Sequence, residues 1–595
     1  MKVLKLCFKW IKGNRLSLFI GIVILILLDY IRSLVPVFIS EVYAILDPAN
    51  HESTMPKFLL GIFDNKPLKQ EIIIVSIMII SIIVLRDILN VIYDYQMNKS
   101  SEGIGDRLRV KFYDHVQKLP FSVLSSNQTG DLIQRSTSDI DRFKRFVGRV
   151  LPNMLNNAIL IGFYYYQMIK VDFWYATVSI IAAPILIVFS FLFYRNLRDE
   201  FEELEEIESE YISTCQESLT NIRVVKAFNN EKHETEKYKN KMDKYVNSWR
   251  KTLKKTSFYW GITDTLLYLQ IIISIFISVY FYKRGVPLSG ILLVFACIQD
   301  VLWRSRALGR QLNELNKTTI SVERIEEILT QDDEYKNELG NITSPITGKI
   351  EFKNVSYSYS DSVNPVLENI SFNVNPGETI AIIGKTGSGK TTLVNLINRL
   401  LDCTSGEILI DNIPIKDYDK KHLRKNVGFC MQEPFLYSNT IYNNIGILLD
   451  NKEENKDKIY EVAKISSIDQ DILEFTNGYD TIVGERGVTL SGGQKQRIAI
   501  SRILTESKPI LVFDDSLSAV DTNTDKSIRH MLNNRKNKST TFIITHKIMS
   551  AKDADKIIII NDGKIQNIGK HDELLQIDEL YKSIYNIQNA FNDGE

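Results

Sequence analysis

The sequence has no excess of charge of either sign, because 72 lysines and arginines balance 72 aspartates and glutamates among 595 residues. Nucleic acids are bound by neutralising their phosphates, so this balance gives no argument for nucleic acid as a partner. Cysteine is scarce, and its spacing fits neither a disulfide framework nor a metal site. The five cysteines are Cys7, Cys215, Cys297, Cys403 and Cys430. This usage fits a reduced, cytosolic environment for most of the chain.

The N-terminal region lacks the features of a cleaved signal peptide. Residues 1–15 carry five basic side chains, but no small-residue cleavage site follows them. The apolar run that begins at Leu16 is also too long for a signal peptide. We therefore expect a retained membrane helix there, and no peptidase-like domain ahead of it.

Long apolar stretches are abundant in the first half of the chain. A helix needs about 20 apolar residues to cross the hydrocarbon core of a bilayer. Six stretches are long enough, at Leu16–Pro36, Glu71–Leu89, Phe146–Ile169, Phe173–Tyr194, Phe258–Tyr282 and Leu288–Leu308. The third and fourth are less apolar than the others. The sequence thus predicts a six-span α-helical transmembrane domain within residues 1–330.

The basic residues predict the orientation of this domain. Cytoplasmic loops carry an excess of lysine and arginine, and the N-terminus and the segments 90–145 and 195–257 are all basic. We therefore expect a multi-pass protein of the cytoplasmic membrane with both termini cytosolic. The two long segments favour helices over solvated loops, because structureless loops of this length are uncommon. Their tips are predicted near Pro120–Ser126 and Gln216–Val224.

Charged residues interrupt several of the predicted spans. They are Asp29, Arg32, Arg86, Asp87, Asp264, Asp300 and Arg304. Charges in a bilayer are costly and usually face a bundle interior or a wet cavity. One interpretation is a polar substrate pathway; the other is a set of internal ion pairs and groups at the cytosolic interface. Both interpretations stay open.

The pattern changes to short strands and amphipathic helices over residues 350–595, after a polar linker at 331–349. There a glycine-rich segment follows the strand-like run Thr379–Ile383 and precedes a helix-like run that ends near Leu401. The segment consists of Gly384, Lys385, Thr386, Gly387, Ser388, Gly389, Lys390, Thr391 and Thr392. It fits the phosphate-binding pattern G-x-x-x-x-G-K-[ST] in the expected strand–turn–helix context.

Each part of this segment has a chemical reason. The glycines let backbone N–H groups close around a β-phosphate, and the helix N-terminus adds a partial positive charge. Lys390 is placed to reach the β- and γ-phosphates, and the Thr391 hydroxyl to bind Mg²⁺. A turn that binds nothing is the alternative, but the length and context of the pattern argue against it.

Further candidates lie on both sides of this segment. Tyr359 precedes it and offers an aromatic ring for stacking on adenine, although a residue in this position is more often an ordinary strand residue. Gln432 ends a strand-like run, and its amide suits Mg²⁺ and the sensing of a γ-phosphate. Asp514 ends the apolar run Pro509–Phe513 and suits Mg²⁺ binding through water. Asp515 is expected close to the attacking water.

Two more candidates complete the set. A small, glycine-rich helix start provides a second phosphate site by the same dipole argument. Its residues are Leu490, Ser491, Gly492, Gly493 and Gln494. His546 follows the run Thr541–Thr545, and its imidazole is placed to contact a γ-phosphate.

The order of these segments resembles that of an ABC transporter ATPase domain. With membrane helices fused ahead of an α/β P-loop NTPase domain of ABC type, the chain resembles an exporter-type half-transporter, and the resemblance covers essentially its whole length. Leu490–Gln494 matches the family signature without change. The segments Glu217–Phe228, Thr129–Arg135 and Thr481–Gly487 also resemble family motifs.

The resemblance implies a shared active site. Two such chains would dimerise head to tail around two ATPs with Mg²⁺, each ATP lying between the phosphate loop of one chain and the signature of the other. Tyr359 would stack on adenine, and Ser491 and Gly493 would contact the γ-phosphate of ATP on the partner. Thr391, Gln432 and Asp514 would serve the metal.

One position departs from the family pattern. The family's general base is Glu, whereas this chain has Asp515, which is one methylene shorter. Misplacing a catalytic group by about 1 Å can cost ~10²-fold in rate. The departure resembles heterodimeric multidrug exporters, in which an Asp-bearing subunit with an intact signature pairs with a Glu-bearing subunit. The alternative is a tolerated substitution in a homodimer.

Other functions were weighed against export. A channel or regulatory subunit gated by ATP stays possible, although the intact signature favours a pump. A soluble ATPase is excluded by the apolar spans, and an importer is disfavoured because importers usually carry the two domains on separate chains. The exported substrate is not identified by the sequence; lipophilic drugs, lipids and peptides all stay open.

Overall fold

The computed structural model describes residues 10–592, apart from 12, 47–66, 337–339, 360–361, 363, 518–519, 521 and 535–537. These residues form two compact units. The first comprises residues up to Gln117 together with Thr129–Gln331, and the second comprises Lys118–Gln128 together with the chain from Asp332 onward. The first segment of the second unit contains one of the predicted tips.

Long helices make up the first half of the chain. They are α1 Arg15–Leu46, α2 Leu68–Val116, α3 Phe121–Ser126, α4 Thr129–Gln134, α5 Ile140–Arg145, α6 Leu151–Val171, α7 Phe173–Ser179, α8 Ala182–Asn196, α9 Arg198–Thr220, α10 Ile222–Ala227, α11 Glu231–Lys283 and α12 Leu288–Leu329. Two π-helical turns, Arg135–Asp139 and Phe146–Val150, flank α5. Helix α3 belongs to the second unit, and the other eleven belong to the first.

Within the part of the chain that the structure describes, five helical stretches are long and apolar enough to cross a membrane. They include α1, α2, α11, α12 and the stretch Phe173–Thr220, which contains α7, α8 and α9. The third predicted span, Phe146–Ile169, is not among them. It forms the π-helical turn Phe146–Val150 and most of α6, in which Asn153, Asn156, Asn157 and Gln167 lower the apolar content. The predicted count of six spans is therefore not confirmed.

The fourth predicted span contains a break that the sequence analysis did not anticipate. Helix α7 ends at Ser179, and α8 begins at Ala182 after a turn at Ile180 and Ile181. Pro184 accounts for it, because proline has no N–H to donate and its ring clashes with the carbonyl four residues earlier, at Ile180.

The two long polar segments are helical, as predicted. Helices α2 and α11 contain 49 and 53 residues, more than twice the length that a bilayer core requires. The first predicted tip holds the short helix α3. The second, Gln216–Val224, covers the end of α9, a turn at Asn221 and the start of the short helix α10. Helix α10 and its flanks expose apolar side chains, with Leu219, Val224 and Phe228 each more than half exposed.

The second unit is built on two sheets. Its strands are β1 Ile350–Tyr357, β2 Leu367–Val374, β3 Thr379–Gly384, β4 Ser405–Ile410, β5 Ile413–Pro414, β6 Val427–Cys430, β7 Ile510–Asp514, β8 Thr540–Ile544, β9 Lys556–Asn561 and β10 Lys564–Gly569. An antiparallel sheet has the order β2-β1-β4-β5. The larger sheet has the order β10-β9-β3-β8-β7-β6, and all its pairs are parallel except β10 with β9.

Helices surround the larger sheet; some pack on the sheet and others on those helices. They are α13 Lys390–Ile397, α14 Lys420–Asn426, α15 Ile441–Ile445, α16 Lys456–Ile465, α17 Asp469–Glu474, α18 Gly492–Leu504, α19 Thr522–Asn534, α20 Ile548–Ala551, α21 His571–Ile577 and α22 Glu579–Asn592. Strands β3, β7 and β8 are almost wholly apolar and buried, as expected for parallel strands covered on both faces. Their carboxyl ends meet at one edge, where ligands of such sheets bind.

Candidate functional site

The glycine-rich segment forms a loop between β3 and α13. Gly387 and Gly389 adopt φ angles of 81° and 98°, which side chains on L-residues rarely tolerate. A Cβ on Gly389 would also lie 2.7 Å from Leu367 Cδ2 and 2.9 Å from the Val366 carbonyl oxygen. Glycine is therefore required for the loop to close over the start of α13, where the helix N–H groups are free to bind an anion.

Lys390 lies at the first turn of α13 and is folded back into the loop. Its Nζ donates hydrogen bonds to the carbonyl oxygens of Gly384 at 2.9 Å and Lys385 at 2.7 Å. Burial lowers the pKa of Lys390, and the carboxylates of Asp515 and Asp514 oppose that shift. The ammonium group thus lies beside the phosphate-binding loop, with both acidic residues close enough to affect its charge.

The metal-binding candidates on the loop and on β7 are in direct contact. Thr391 Oγ1 donates to Asp514 Oδ1 at 3.1 Å, and Asp514 is buried at the end of β7. Burial raises the pKa of Asp514, the hydrogen bond from Thr391 lowers it, and Asp515 raises it further. A hydroxyl and a carboxylate oxygen side by side are ligands that Mg²⁺ prefers, and a cation there would relieve the cost of two neighbouring acids.

A second observation fits a phosphate ligand. The hydroxyl of Ser388 is buried in the loop and has no hydrogen-bond partner among the described residues. Buried polar atoms are normally satisfied, so this donor suits a phosphate oxygen. The residues of the loop and of β7 therefore fit both ATP and Mg²⁺.

Asp515 turns the chain immediately after β7. It adopts a left-handed φ of 47°, and its N–H donates to the Ile544 carbonyl oxygen at 3.1 Å. Asp tolerates this conformation better than most residues with longer side chains. The turn brings the Asp515 carboxylate to the same edge of the sheet as Asp514.

A cavity of about 260 Å³ lies at this edge. It is lined by Val366, Thr386, Gly387, Gly389, Lys390, Thr391, Thr392, Gln432, Asp514, Asp515, Ile544 and His546. The fold therefore brings together ten of the predicted residues, contributed by four separate segments. Val366 and Ile544 were not predicted; both are apolar residues beside a strand end or loop, and nothing in their local sequence distinguishes them from core positions.

Tyr359 lies next to this cavity but does not line it. Its hydroxyl is 3.3 Å from Thr392 Oγ1, and its ring packs edge-to-face against Tyr357 with centroids 5.0 Å apart. Tyr359 is 42% exposed, so part of its side chain is open to solvent beside the cavity. Gly384, Lys385 and Ser388 also lie outside the lining, because they form the base of the loop.

The second glycine-rich helix start lies apart from the cavity. Ser491 caps α18 by accepting from the Gln494 N–H at 3.3 Å, and Gln494 Oε1 accepts from the Ser491 N–H at 3.0 Å. This reciprocal capping box satisfies two of the free donors at the helix start. Ser491 and Gly492 are exposed, and none of the four residues 491–494 lines the cavity. They are therefore accessible to another molecule.

Several of the membrane charges have polar partners within the first unit. Asn156 Nδ2 donates to the buried Asp29 Oδ1 at 2.6 Å, and Arg304 Nη1 donates to Asn156 Oδ1 at 3.2 Å. Tyr164 donates to Asp300 at 2.8 Å, and Arg306 pairs with Asp264. These contacts support the interpretation as internal pairs for the groups concerned. Arg306 and the α6 asparagines were not predicted as partners.

Comparison with known proteins settles the family. Residues 18–305 match the family described as ABC transporter transmembrane region, and residues 367–518 match the family described as ABC transporter. The chain is an ABC transporter. Membrane and ATPase parts are fused in the order that the sequence predicted.

Curated relatives of this transporter cover nearly its full length. YgaD of Bacillus subtilis strain 168, whose name describes a multidrug export ATP-binding/permease protein, is 31% identical over 87% of this chain and 89% of its own. The ATP-dependent lipid A-core flippase of Hahella chejuensis is 29% identical over 94% and 96% of the two chains.

A solved structure shares the fold of this transporter. A bacterial Atm1-family ABC exporter with ATP bound superposes with a TM-score of 0.75 and covers 98% of this chain and 99% of its own, at 23% identity. The predicted fold class, a helical transmembrane domain followed by an ABC-type ATPase domain, is confirmed.

Proposed function

We propose that this transporter is an ATP-driven exporter of the cytoplasmic membrane, and that it works as one half of a heterodimer. Its parts are a transmembrane domain (1–330), a linker (331–349) and an ATPase domain (350–595), with both termini in the cytosol. The names of YgaD and of the lipid A-core flippase support export as the direction of transport. The substrate class stays open, and nucleic acid is not expected as a partner.

One observation carries the proposal of a shared site. The cavity contains the phosphate loop, the acids after β7, Gln432 and His546, but no residue of the signature segment 491–494. The signature is nevertheless complete in sequence and exposed at the start of α18. A second chain that presents its own signature would complete this cavity, and this chain's signature would complete the other.

The residues of the cavity have separate roles in this proposal. Thr391, Gln432 and Asp514 hold Mg²⁺, which when bound neutralises phosphate charge and orients the terminal phosphate. Lys390 gives up its contacts to the loop carbonyls and binds the β- and γ-phosphates. His546 donates a hydrogen bond to the γ-phosphate.

Two further residues complete the ATP site. Tyr359 stacks on adenine, using the exposed part of its side chain. Asp515 lies beside the attacking water, but its carboxylate is one methylene shorter than that of glutamate. If the carboxylate is displaced by about 1 Å, hydrolysis at this site is slowed by ~10²-fold. The faster hydrolysis takes place at the partner's site.

The transport cycle that we propose is alternating access. ATP binding favours the closed ATPase pair because ATP contacts both chains only in that state. This difference in affinity shifts the equilibrium from the open to the closed pair. The tips α3 and α10 carry the closure to the membrane helices. The exposed apolar side chains of α10 and its flanks suit docking on a second chain. Hydrolysis then resets the pair.

ATP hydrolysis by the purified chain tests the proposal. Wild type is expected to be nearly inactive, Asp515→Glu to gain activity by roughly 10- to 100-fold, and Asp515→Asn to remain inactive. Brisk wild-type hydrolysis that Asp515→Asn abolishes would show that Asp515 is a working base and would favour a homodimer. That second candidate is supported by the position of Asp515 in the cavity lining beside Asp514.

A transport assay separates the exporter from an ATP-gated channel or regulatory subunit. In inside-out vesicles that contain both subunits, a pump accumulates a fluorescent lipophilic dye against its gradient, whereas a channel only equilibrates it. Accumulation that needs ATP hydrolysis supports export. Equilibration that ATP binding alone permits would contradict it.

A further inference from the structure

The turn that carries His546 is spanned by one side chain from the C-terminal helix. Gln588 on α22 donates from Nε2 to the His546 carbonyl oxygen at 2.6 Å, and its Oε1 accepts from the Ile548 N–H at 2.8 Å. One amide group therefore bridges the middle residue of the turn between β8 and α20 and the first residue of α20. The His546 side chain itself is exposed toward the cavity.

Helix α22 is anchored near its start, about two turns before Gln588. Tyr581 is fully buried, and its hydroxyl is 2.8 Å from His571 Nδ1. The Tyr581 N–H donates to Asp578 Oδ1 at 2.8 Å. Tyr581 also belongs to an apolar cluster that includes Ile383 and Ile548. The same cluster thus joins α22 to the strand before the phosphate loop and to the helix after His546.

We infer that Gln588 is a positioning residue for the ATP site, acting through His546. A glutamine amide is suited to this task because it offers one donor and one acceptor in a fixed geometry, matching a carbonyl and an N–H two residues apart. The contact fixes the backbone of His546, and hence the point from which its imidazole reaches the γ-phosphate. This inference rests on the proposed role of His546.

The inference predicts a defect in recognising the γ-phosphate rather than in folding. Without the amide, the turn samples more conformations, and His546 is less often in the place that the γ-phosphate requires. Discrimination between ATP and ADP should therefore fall about tenfold, corresponding to the loss of one or two hydrogen bonds. ADP affinity should change little, because ADP has no γ-phosphate.

Nucleotide competition on the purified full-length chain measures this quantity without relying on hydrolysis. ATP and ADP are each titrated against a fluorescent ATP analogue with Mg²⁺, and the ratio of their Kd values is compared among variants. The set is Gln588→Ala, His546→Ala, the double variant, and Asn586→Ala as a control. Asn586 is exposed on the same helix. It takes no part in the clamp, by which we mean the two hydrogen bonds of Gln588 with His546 and Ile548.

The expected result has two parts. Gln588→Ala lowers the ratio in the direction of His546→Ala, and the double variant is no worse than His546→Ala alone, because there is then no imidazole to position. A purely structural role would instead add its defect to that of His546→Ala. If Gln588→Ala does not fold, Gln588→Glu replaces it, since it keeps the acceptor for Ile548 and loses the donor to His546.

The failures are distinguishable. An unchanged ratio in His546→Ala would contradict the proposed role of His546 and remove the basis for the inference. A reduced ratio in His546→Ala with an unchanged ratio in Gln588→Ala would overturn the inference alone. Equal losses in Asn586→Ala and Gln588→Ala would also overturn it, because the effect would then belong to the helix rather than to the clamp.

Discussion

The two glycine-rich helix starts of the ATPase unit, those of α13 and α18, differ in how their free N–H groups are satisfied. Each helix begins with N–H groups that have no partner inside the helix. Helix α18 satisfies part of this need itself, through the reciprocal contacts of Ser491 and Gln494. The N-cap residue of α13 is Gly389, which adopts φ 98° and has no side chain with which to cap the helix.

The difference indicates where each ligand comes from. The start of α13 faces a cavity that this chain lines with its own lysine and acids, so its ligand is bound by this chain. The start of α18 is capped, exposed and outside that cavity. A capped start stays stable while it is accessible, which suits a phosphate that arrives with another chain. Substitutions at the start of α13 should therefore weaken ATP binding by this chain, whereas substitutions at the start of α18 should impair only the assembled pair.

The largest effect of a substitution is expected at the start of α13. Lys390→Ala removes a charge-assisted donor to two phosphates, and hydrogen bonds to charged groups contribute about 1.5–3 kcal/mol each. We expect ATP affinity of the purified chain to fall at least about 100-fold, measured by competition with a fluorescent ATP analogue. Lys385→Ala is the control, because that side chain is exposed and only its backbone contacts Lys390.

Two outcomes would contradict this assignment. One is an ATP affinity of Lys390→Ala within threefold of wild type. The other is an equal loss in Lys385→Ala, which would point to the general positive charge of the loop. Because Lys390 also bonds to the loop carbonyls, melting temperatures without nucleotide should be compared, and Lys390→Met serves if Lys390→Ala is unstable.

A smaller effect is expected at the start of α18, on hydrolysis by the assembled pair but not on ATP binding by the single chain. Ser491→Ala should leave ATP binding by the purified chain within about twofold of wild type, because Ser491 lies outside the cavity. It should lower hydrolysis by the assembled pair about tenfold or more, as one hydrogen bond to a charged phosphate is lost. Ser491→Thr should restore most of the activity, since threonine keeps both the hydroxyl and the cap.

The control addresses the cap itself. Removing a serine cap costs about 1 kcal/mol of stability, so melting temperatures of Ser491→Ala and Ser491→Thr are needed beside the rates. If Ser491→Ala weakened ATP binding by the chain alone, the proposed division of the site between two chains would fail. The partner for this assay is a half-transporter with Glu at the base position, to be sought first among the neighbouring reading frames.

The contrast between these regions also separates what the sequence predicts from what it does not. The phosphate loop and the acids after β7 were predicted because glycine spacing, a lysine and a strand-end carboxylate are local patterns with one chemical purpose. Parallel strands then carry them to a common edge. Gln588 has no such local pattern, because its partners are backbone groups about 40 residues away. Since nearly every residue carries the same backbone groups, the sequence does not indicate which of them a side chain will bind.

The membrane unit shows a similar limit. Apolar length predicted six spans, and five of them form helices long and apolar enough to cross a membrane. The predicted span in α6 is not among these five, because asparagines such as Asn156, which contacts Asp29, lower its apolar content. The break between α7 and α8 was predictable in principle from Pro184, whereas the pairing of Arg306 with Asp264 depends on how two separate helices pack.

The smallest expected effect concerns Asp514, which contacts Thr391 at the start of α13. The pKa of Asp514 is raised mainly by burial, so the folded chain binds a proton there more tightly than the unfolded chain. Its protonated form therefore favours folding below the ordinary carboxyl pKa, and this contribution is lost as the pH rises through the raised pKa. Asn at this position does not titrate.

Asp514→Asn should therefore melt at a higher temperature than wild type in the absence of Mg²⁺ and nucleotide, and the difference should grow by a few degrees at most as the pH rises from about 4 towards 7. With Mg²⁺ and ATP the order should reverse, because a bound cation favours the carboxylate and stabilises the folded state. Melting curves of the full-length chain in one detergent measure both conditions. A difference that shrinks as the pH rises would show that Thr391 and Lys390 outweigh burial at Asp514, and that the site is arranged to hold a carboxylate before any cation arrives.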